Sequence, residues 1–247
     1  MGLARLIGNA TTLVITIGSH VAPVLPPPNG VAIAFEPVVH SLIKPHPNLF
    51  VVPAAVAAES GLASMERYGG KHGSQSSSLS EAAYAAYWNK HIAAEPLAVP
   101  VVSMRGLLNC LPPAANLTLH AMKTDMQGHD YAALSSAGPL LTRVHWLLTE
   151  VWLRGRDAYK TPVGNDFCSQ HMPHMLSIGF ELVALRGTVG VPGRPYLARS
   201  TAAGIKFCDK EREAKPPTGH REANALWRQN TTTLPAPKLP NWDLGNR

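Results

Sequence analysis

Short runs of consecutive apolar residues recur along the chain, separated by polar and proline-containing stretches. Residues 13–17 (LVITI), 31–35 (VAIAF) and 49–52 (LFVV) are apolar and rich in β-branched side chains. Runs of this length and kind predict strands buried on both faces. Residues 117–122, 146–152 and 180–185 repeat the pattern and predict three more. Between them lie stretches with helical character. Residues 81–94 are rich in alanine, with Tyr84, Tyr87 and Trp88 at helical spacing. Ser103 is placed to cap a helix running through Leu108, and residues 129–136 and 167–177 predict two further helices. Residues 62–68 alternate after the turn signal Glu59-Ser60-Gly61 and predict one arm of a hairpin. A Gly/Ser-rich loop spans 69–80. Strands alternating with helices predict an α/β fold: a mostly parallel, Rossmann-like sheet with helices on both faces. One connection departs from that scheme. Residues 17 and 31 are separated by a stretch holding Pro23, Pro26, Pro27 and Pro28. Three consecutive prolines lack amide donors and cannot continue a helix, so the first crossover is expected to be short and extended.

Charge sharpens the organisation. The 247-residue chain has a formal net charge of +6. Up to Leu185 it holds eleven basic and eleven acidic residues, and from Arg186 onward eleven basic and five acidic. The whole excess therefore lies in the last quarter, which also carries Pro216, Pro217, Pro235, Pro237 and Pro240. The expectation is a domain over 1–185 followed by a basic, proline-containing extension over 186–247, partly irregular. That extension has no recognisable nucleic-acid module, so nucleic-acid binding is the least supported reading. No stretch of 18 uninterrupted apolar residues occurs, and no transmembrane helix is expected.

Cys110, Cys168 and Cys208 are odd in number and widely spaced, with no CxxC. They read as thiols in a reducing compartment, which favours the cytoplasm. His171 and His174 flank Pro173 without a third ligand at a suitable spacing, so no metal site is expected. Asn-x-Thr sequons begin at Asn9, Asn116 and Asn230, and they matter only in a secreted chain.

In a doubly wound sheet, ligands bind beyond the carboxyl ends of the strands. The residues there are Gly18, Ser19 and His20 after the first strand, and Glu36 after the second. Ala57, Ala58 and Glu59 follow the third, Lys123, Asp125, Gln127 and Gly128 the fourth, and Glu150 the fifth. A carboxylate after strand two suits a ribose, because it accepts from both hydroxyls. A glycine after strand one lets the backbone approach a ligand closely. Neither GxGxxG nor a P-loop is present, which disfavours NAD and ATP.

Residues 119–134 (LHAMKTDMQGHDYAAL) resemble the signature strand and helix of the FkbM methyltransferase family, whose pattern is Lys-x-Asp-x-Glu-Gly-x-Glu. Lys123, Asp125 and Gly128 match it, while Gln127 and Asp130 stand in place of the two glutamates. Residues 31–37, 48–56, 76–80, 147–151 and 178–182 fall in the family's order. Thr16 and Ala22 depart from its cofactor loop. The resemblance implies a class I methyltransferase fold, S-adenosylmethionine as cofactor, and O-methylation of a hydroxyl acceptor of small-molecule, glycan or lipid type. It places Asp125 and Lys123 at the reacting end, with Asp125 also contacting the cofactor. Gly18 and Ser19 would contact the methionine portion, Glu36 the ribose, and Ala58 and Glu59 the adenine. The alternative is a non-catalytic Rossmann-like binding module that has lost part of its cofactor loop.

Overall fold

The apolar runs form the centre of an eight-stranded sheet. The computed structural model describes residues 10–18, 23–38, 43–68, 78–79, 94–112, 117–155, 159–161, 163–193 and 195–237. β1 (Thr12–Ile17), β2 (Gly30–Phe35) and β3 (Leu49–Val52) run parallel, as do β7 (Thr118–Thr124) and β8 (Trp146–Trp152). The rest of the sheet is β9 (Phe180–Gly187), β10 (Tyr196–Ala198) and β11 (Glu222–Gln229). The strand order is β10-β9-β11-β8-β7-β1-β2-β3. Every residue of β2 and β8 is buried, as expected of strands covered on both faces. A smaller sheet of β4 (Ala55–Ala57), β5 (Gly61–Tyr68) and β6 (Ala94–Ser103) follows β3, with the order β4-β6-β5. β5 is the expected hairpin arm, paired antiparallel with β6.

Four α-helices are described: α1 (Met104–Cys110), α2 (Asp130–Ala137), α3 (Met172–Ser177) and α4 (Thr201–Glu213). Ser103 caps α1 as expected, its hydroxyl accepting from the Gly106 amide at 3.1 Å. The single helix expected over 167–177 is instead a π-helical turn (Phe167–His171) that leads into α3. Asp166 starts that turn by accepting from the Ser169 amide. The helix expected over 81–94 lies outside the described residues, apart from Ala94, which opens β6.

The two faces of the sheet are covered differently. Leu13, Ile15, Ile17, Val31, Ile33 and Phe35 point into one large core with Met104, Leu108, Leu134 and Met175, so all four described helices serve this face. The opposite face holds Val14, Ala121, Trp146, Leu148, Ala184 and Leu226, packed with Val24. Val24 belongs to the proline-containing crossover, whose described residues 23–29 contain no helix. Its amide donates to the Thr16 hydroxyl at 3.0 Å. The expectation of helices on both faces is thus corrected for the described residues. The many small side chains on the second face, including buried Ala32 and Ala34, allow an extended segment to lie close, where a helix would need more depth.

The division expected at Leu185 does not hold in the fold. β9 runs on to Gly187, α4 packs Cys208 into the large core, and β11 lies in the middle of the sheet. β11 pairs antiparallel with β8 over seven registered positions and with β9 over seven more. Ala223, Ala225, Leu226 and Trp227 are fully buried there. α4 carries three basic and three acidic residues, and β11 is an interior element whose Arg228 pairs with Glu181. Residues 232–235 then lie along the amino edge, where the Trp146 indole donates to the Leu234 carbonyl at 3.1 Å.

The cysteines also differ from expectation. Cys168 and Cys208 form a disulfide, with Cα atoms 5.3 Å apart, that ties the π-helical turn to α4. Cys110 is free and exposed. The two bonded cysteines stand 40 residues apart and share no spacing signature, so only the fold reveals their pairing.

A chain ended after Leu185 should lose cooperative thermal unfolding by circular dichroism, because β8 and β9 would be left without the strand that joins them. A sharp melt in that truncation would restore the sequence-based boundary.

Candidate functional site

The main connections diverge between β1 and β7: the chain leaves β1 toward β2 on one side and β7 toward β8 on the other. Such a switch point opens a crevice at the carboxyl ends of the strands. Here the crevice is framed by Gly18 and Asp125. The Asp125 amide donates to the Ile17 carbonyl at 3.0 Å, and the Gly18 amide donates to the Phe35 carbonyl at 3.0 Å. Gly18 has φ +70°, and a Cβ at this position would lie 1.9 Å from the Asp125 carbonyl oxygen. The position therefore requires glycine on both conformational and steric grounds.

Glu36 follows β2 and is buried. Its amide donates to the Val52 carbonyl at 3.1 Å, and its Oε1 accepts from the Val38 amide at 3.1 Å. The side chain is thereby held at the carboxyl edge, beside the strand that carries Gly18. Ser19 lies outside the described residues. Ala58 and Glu59 do not directly follow the third strand of the main sheet. β4 intervenes, and the two residues form the turn between β4 and β5 of the smaller sheet, with Glu59 exposed.

Asp125 is the centre of a polar chain. Its Oδ2 pairs with Lys123 Nζ at 3.3 Å, and its Oδ1 accepts from Gln127 Nε2 at 2.8 Å. Lys123 and Asp125 keep 17% and 31% of their side-chain surface exposed, so this end of the carboxylate can be reached from solvent. Gln127 has φ +51°, and its Oε1 accepts from the Tyr159 hydroxyl at 2.7 Å. The Ser78 hydroxyl donates to the Gln127 carbonyl at 3.1 Å, which brings the end of the Gly/Ser-rich loop to the same edge. Tyr159 stacks on Trp152, and Trp152 meets His220 edge-on at 5.6 Å between ring centroids. His220 Nε2 lies 2.6 Å from Glu222 Oε1, both residues being buried.

Burial gathers more acid here than the sequence reading had grouped. Asp130, at the first turn of α2, is fully buried, and its Oδ2 accepts from the Met126 amide at 3.1 Å. Burial, and then the nearby Asp125 charge, push its carboxyl up to about 7. Glu150 is raised well above the ordinary carboxyl range, first by burial and then by the charges of Glu222, Asp125 and Asp130. Its Oε1 is buried without a hydrogen-bond partner. Burial and the surrounding carboxylates thus favour the protonated form of Glu150. Glu150 was visible as a strand-end acid, and Asp130 as a departure from the family pattern. His220 and Glu222 carried no usable signal, because they lie in the quarter read as an extension.

His171 is structural. Burial lowers it to about 3 and keeps it neutral, so its Nε2–H donates to Asn165 Oδ1 at 2.8 Å. Asn165 in turn accepts from the Tyr131 amide and donates to the Glu150 carbonyl. This network pins the end of β8 to the start of α2. Among the described residues, no three His, Cys, Asp or Glu side chains form a metal-binding group.

Gly18→Ala should lower stability by about 2 kcal/mol or more, because the obstructing atom is backbone and cannot turn away. A denaturant midpoint within experimental error of the parent would contradict this. Asp130 sets a second expectation. Its folded value, about 7, lies above its ordinary 3.8, so the native state binds the extra proton between these limits and stability falls as pH rises through them. Asp130→Asn should flatten part of that slope and melt higher than the parent at pH 8. An unchanged slope in urea titrations from pH 4 to 8 would refute the assignment.

No family model, no curated protein and no solved structure matches the chain in comparisons with known proteins.

Proposed function

We propose that the chain is an S-adenosylmethionine-dependent methyltransferase that methylates a hydroxyl group. The observation that carries this reading is the switch point. Gly18 and Asp125 meet at the carboxyl ends of β1 and β7, with buried Glu36 ending the neighbouring β2. The order β3-β2-β1-β7-β8 is that of a nucleotide-binding α/β sheet. The antiparallel β11 beyond β8 is compatible with the class I methyltransferase fold that the motif resemblance implies.

The residues present fit such a cofactor. Gly18 lets the turn after β1 pack directly against the Asp125 backbone, so the two strand ends stand close together. Glu36 offers a carboxylate to ribose hydroxyls one strand away. Bound S-adenosylmethionine would supply an activated methyl group with a good leaving group already attached. The protein then has to orient the acceptor hydroxyl and take up its proton. Asp125 is the group for that task. Lys123 and Gln127 fix its carboxylate in place, and part of it faces solvent. Ala58 and Glu59, in the turn after β4, remain the proposed flank of the adenine.

A second reading, a binding module without turnover, is favoured by Thr16. This residue is buried, and its hydroxyl is engaged by the Val24 amide, so it serves the crossover instead of a ligand.

Calorimetric titration with S-adenosylmethionine tests both. The parent should bind saturably, and Glu36→Ala should weaken binding about tenfold or more, the usual cost of removing a carboxylate that accepts hydrogen bonds. Asp125→Asn should bind nearly as the parent does and lose methyl transfer. Absence of heat in the parent, or equal affinity in Glu36→Ala, would overturn the site. Binding without methylation across a panel of hydroxyl acceptors would favour the module.

A further inference from the structure

The transferase reading makes no use of two features of the molecule. One is the Cys168–Cys208 disulfide, which joins the π-helical turn to α4. Such a bond forms and persists in an oxidising environment, and thiol buffers of a reducing compartment oppose it. The other is the sequon Asn230-Thr231-Thr232, with no proline in its central position. It lies in the turn that directly follows β11.

The local geometry suits a modified side chain. Asn230 is exposed. Its backbone amide donates to the Gly179 carbonyl at 2.9 Å, which fixes the turn without using the side chain. The facing residue is a glycine, so no side chain stands opposite: a Cβ built on Gly179 would come within 3.4 Å of Asn230 Oδ1. The global position suits it as well. β11 runs antiparallel to β8, with Glu222 opposite Trp152 and Arg228 opposite Trp146. The strand therefore starts at the carboxyl edge, beside Asp125 and Glu150, and delivers Asn230 to the amino edge. A large group there lies at the opposite end of β11 from the candidate site. The sequons at Asn9 and Asn116 have their asparagines outside the described residues.

We propose that Asn230 carries an N-linked glycan and that the chain folds in an oxidising secretory lumen. In the transfer, the Asn230 Nδ2 nitrogen forms a bond to the anomeric carbon of an oligosaccharide. The carbon–oxygen bond to its lipid diphosphate carrier breaks, the carrier leaves as the diphosphate, and the amide loses one proton. The donor is a lipid diphosphate-linked oligosaccharide, handled by the transferase of the host lumen. The disulfide and the sequon are independent observations that ask for the same compartment.

Peptide mass spectrometry of the full chain purified from its native cells tests this. After enzymatic release of N-glycans in heavy-oxygen water, the peptide containing Asn230 should carry a labelled aspartate. The Cys168 and Cys208 peptides should appear cross-linked in the same sample. Asn230→Gln expressed in those cells should lose one glycan increment on a gel and keep the cross-link. Thr232→Ser, which retains the sequon and its hydroxyl, should keep both. An unmodified Asn230 peptide, free thiols at Cys168 and Cys208, or an unchanged mobility in Asn230→Gln would each overturn the proposal.

Discussion

The pairing of β11 with β8 and β9 is the interaction on which the rest of the structure depends. Without it the sheet would fall into a parallel portion ending at β8 and a separate β9–β10 hairpin. Its burial places Trp227 against Phe167 and so seats the π-helical turn. Its first residue, Glu222, and the preceding His220 close the polar edge beside Trp152. α4, which leads into it, is held on the one side by the disulfide. On the other side Arg154 donates to the carbonyls of Arg212 and Ala214 at the helix end. Those carbonyls have no partner within the helix, and an arginine is well suited to cap them.

The parallel strands were legible because burial on both faces leaves only apolar, β-branched residues in a run. β1 and β2 are plain examples. β11 was not legible for the opposite reason. Its sequence, EANALWRQ, mixes small and charged residues, since Glu222 serves the polar edge and Arg228 reaches Glu181 at the surface. Proline pairs and threonines around it supplied the composition of a tail. The charge excess was real, but α4 is itself charge-balanced, with three basic and three acidic residues, and the excess says nothing about whether a strand in this quarter is interior. The disulfide was hidden because contact between Cys168 and Cys208 is created by tertiary packing alone.

For the site, the residues that follow strands could be named in advance, because strand ends and ligand positions coincide in this architecture. Gly18, Glu36, Lys123 and Asp125 come to one edge of the sheet. Ala58 and Glu59 were drawn to that edge by the assumption that residues after β3 stay with the main sheet, whereas β4 takes them to the smaller one. The convergence of Asp125, Asp130, Glu150 and Glu222 is a property of the folded chain. Each acid was unremarkable in sequence, and together they raise the proton affinity of the two most deeply buried, Asp130 and Glu150, in a region with Lys123 as a close cation.

The position of β11 also has a consequence for synthesis. It is the last strand of the described chain and an interior one. As the polypeptide emerges, β8 and β9 are made well before the strand that separates them, and each waits with an open hydrogen-bonding edge. Open edges of this kind invite pairing with other chains. The sheet is therefore completed only once β11 has been made, and until then the nascent chain depends on whatever shields its edges.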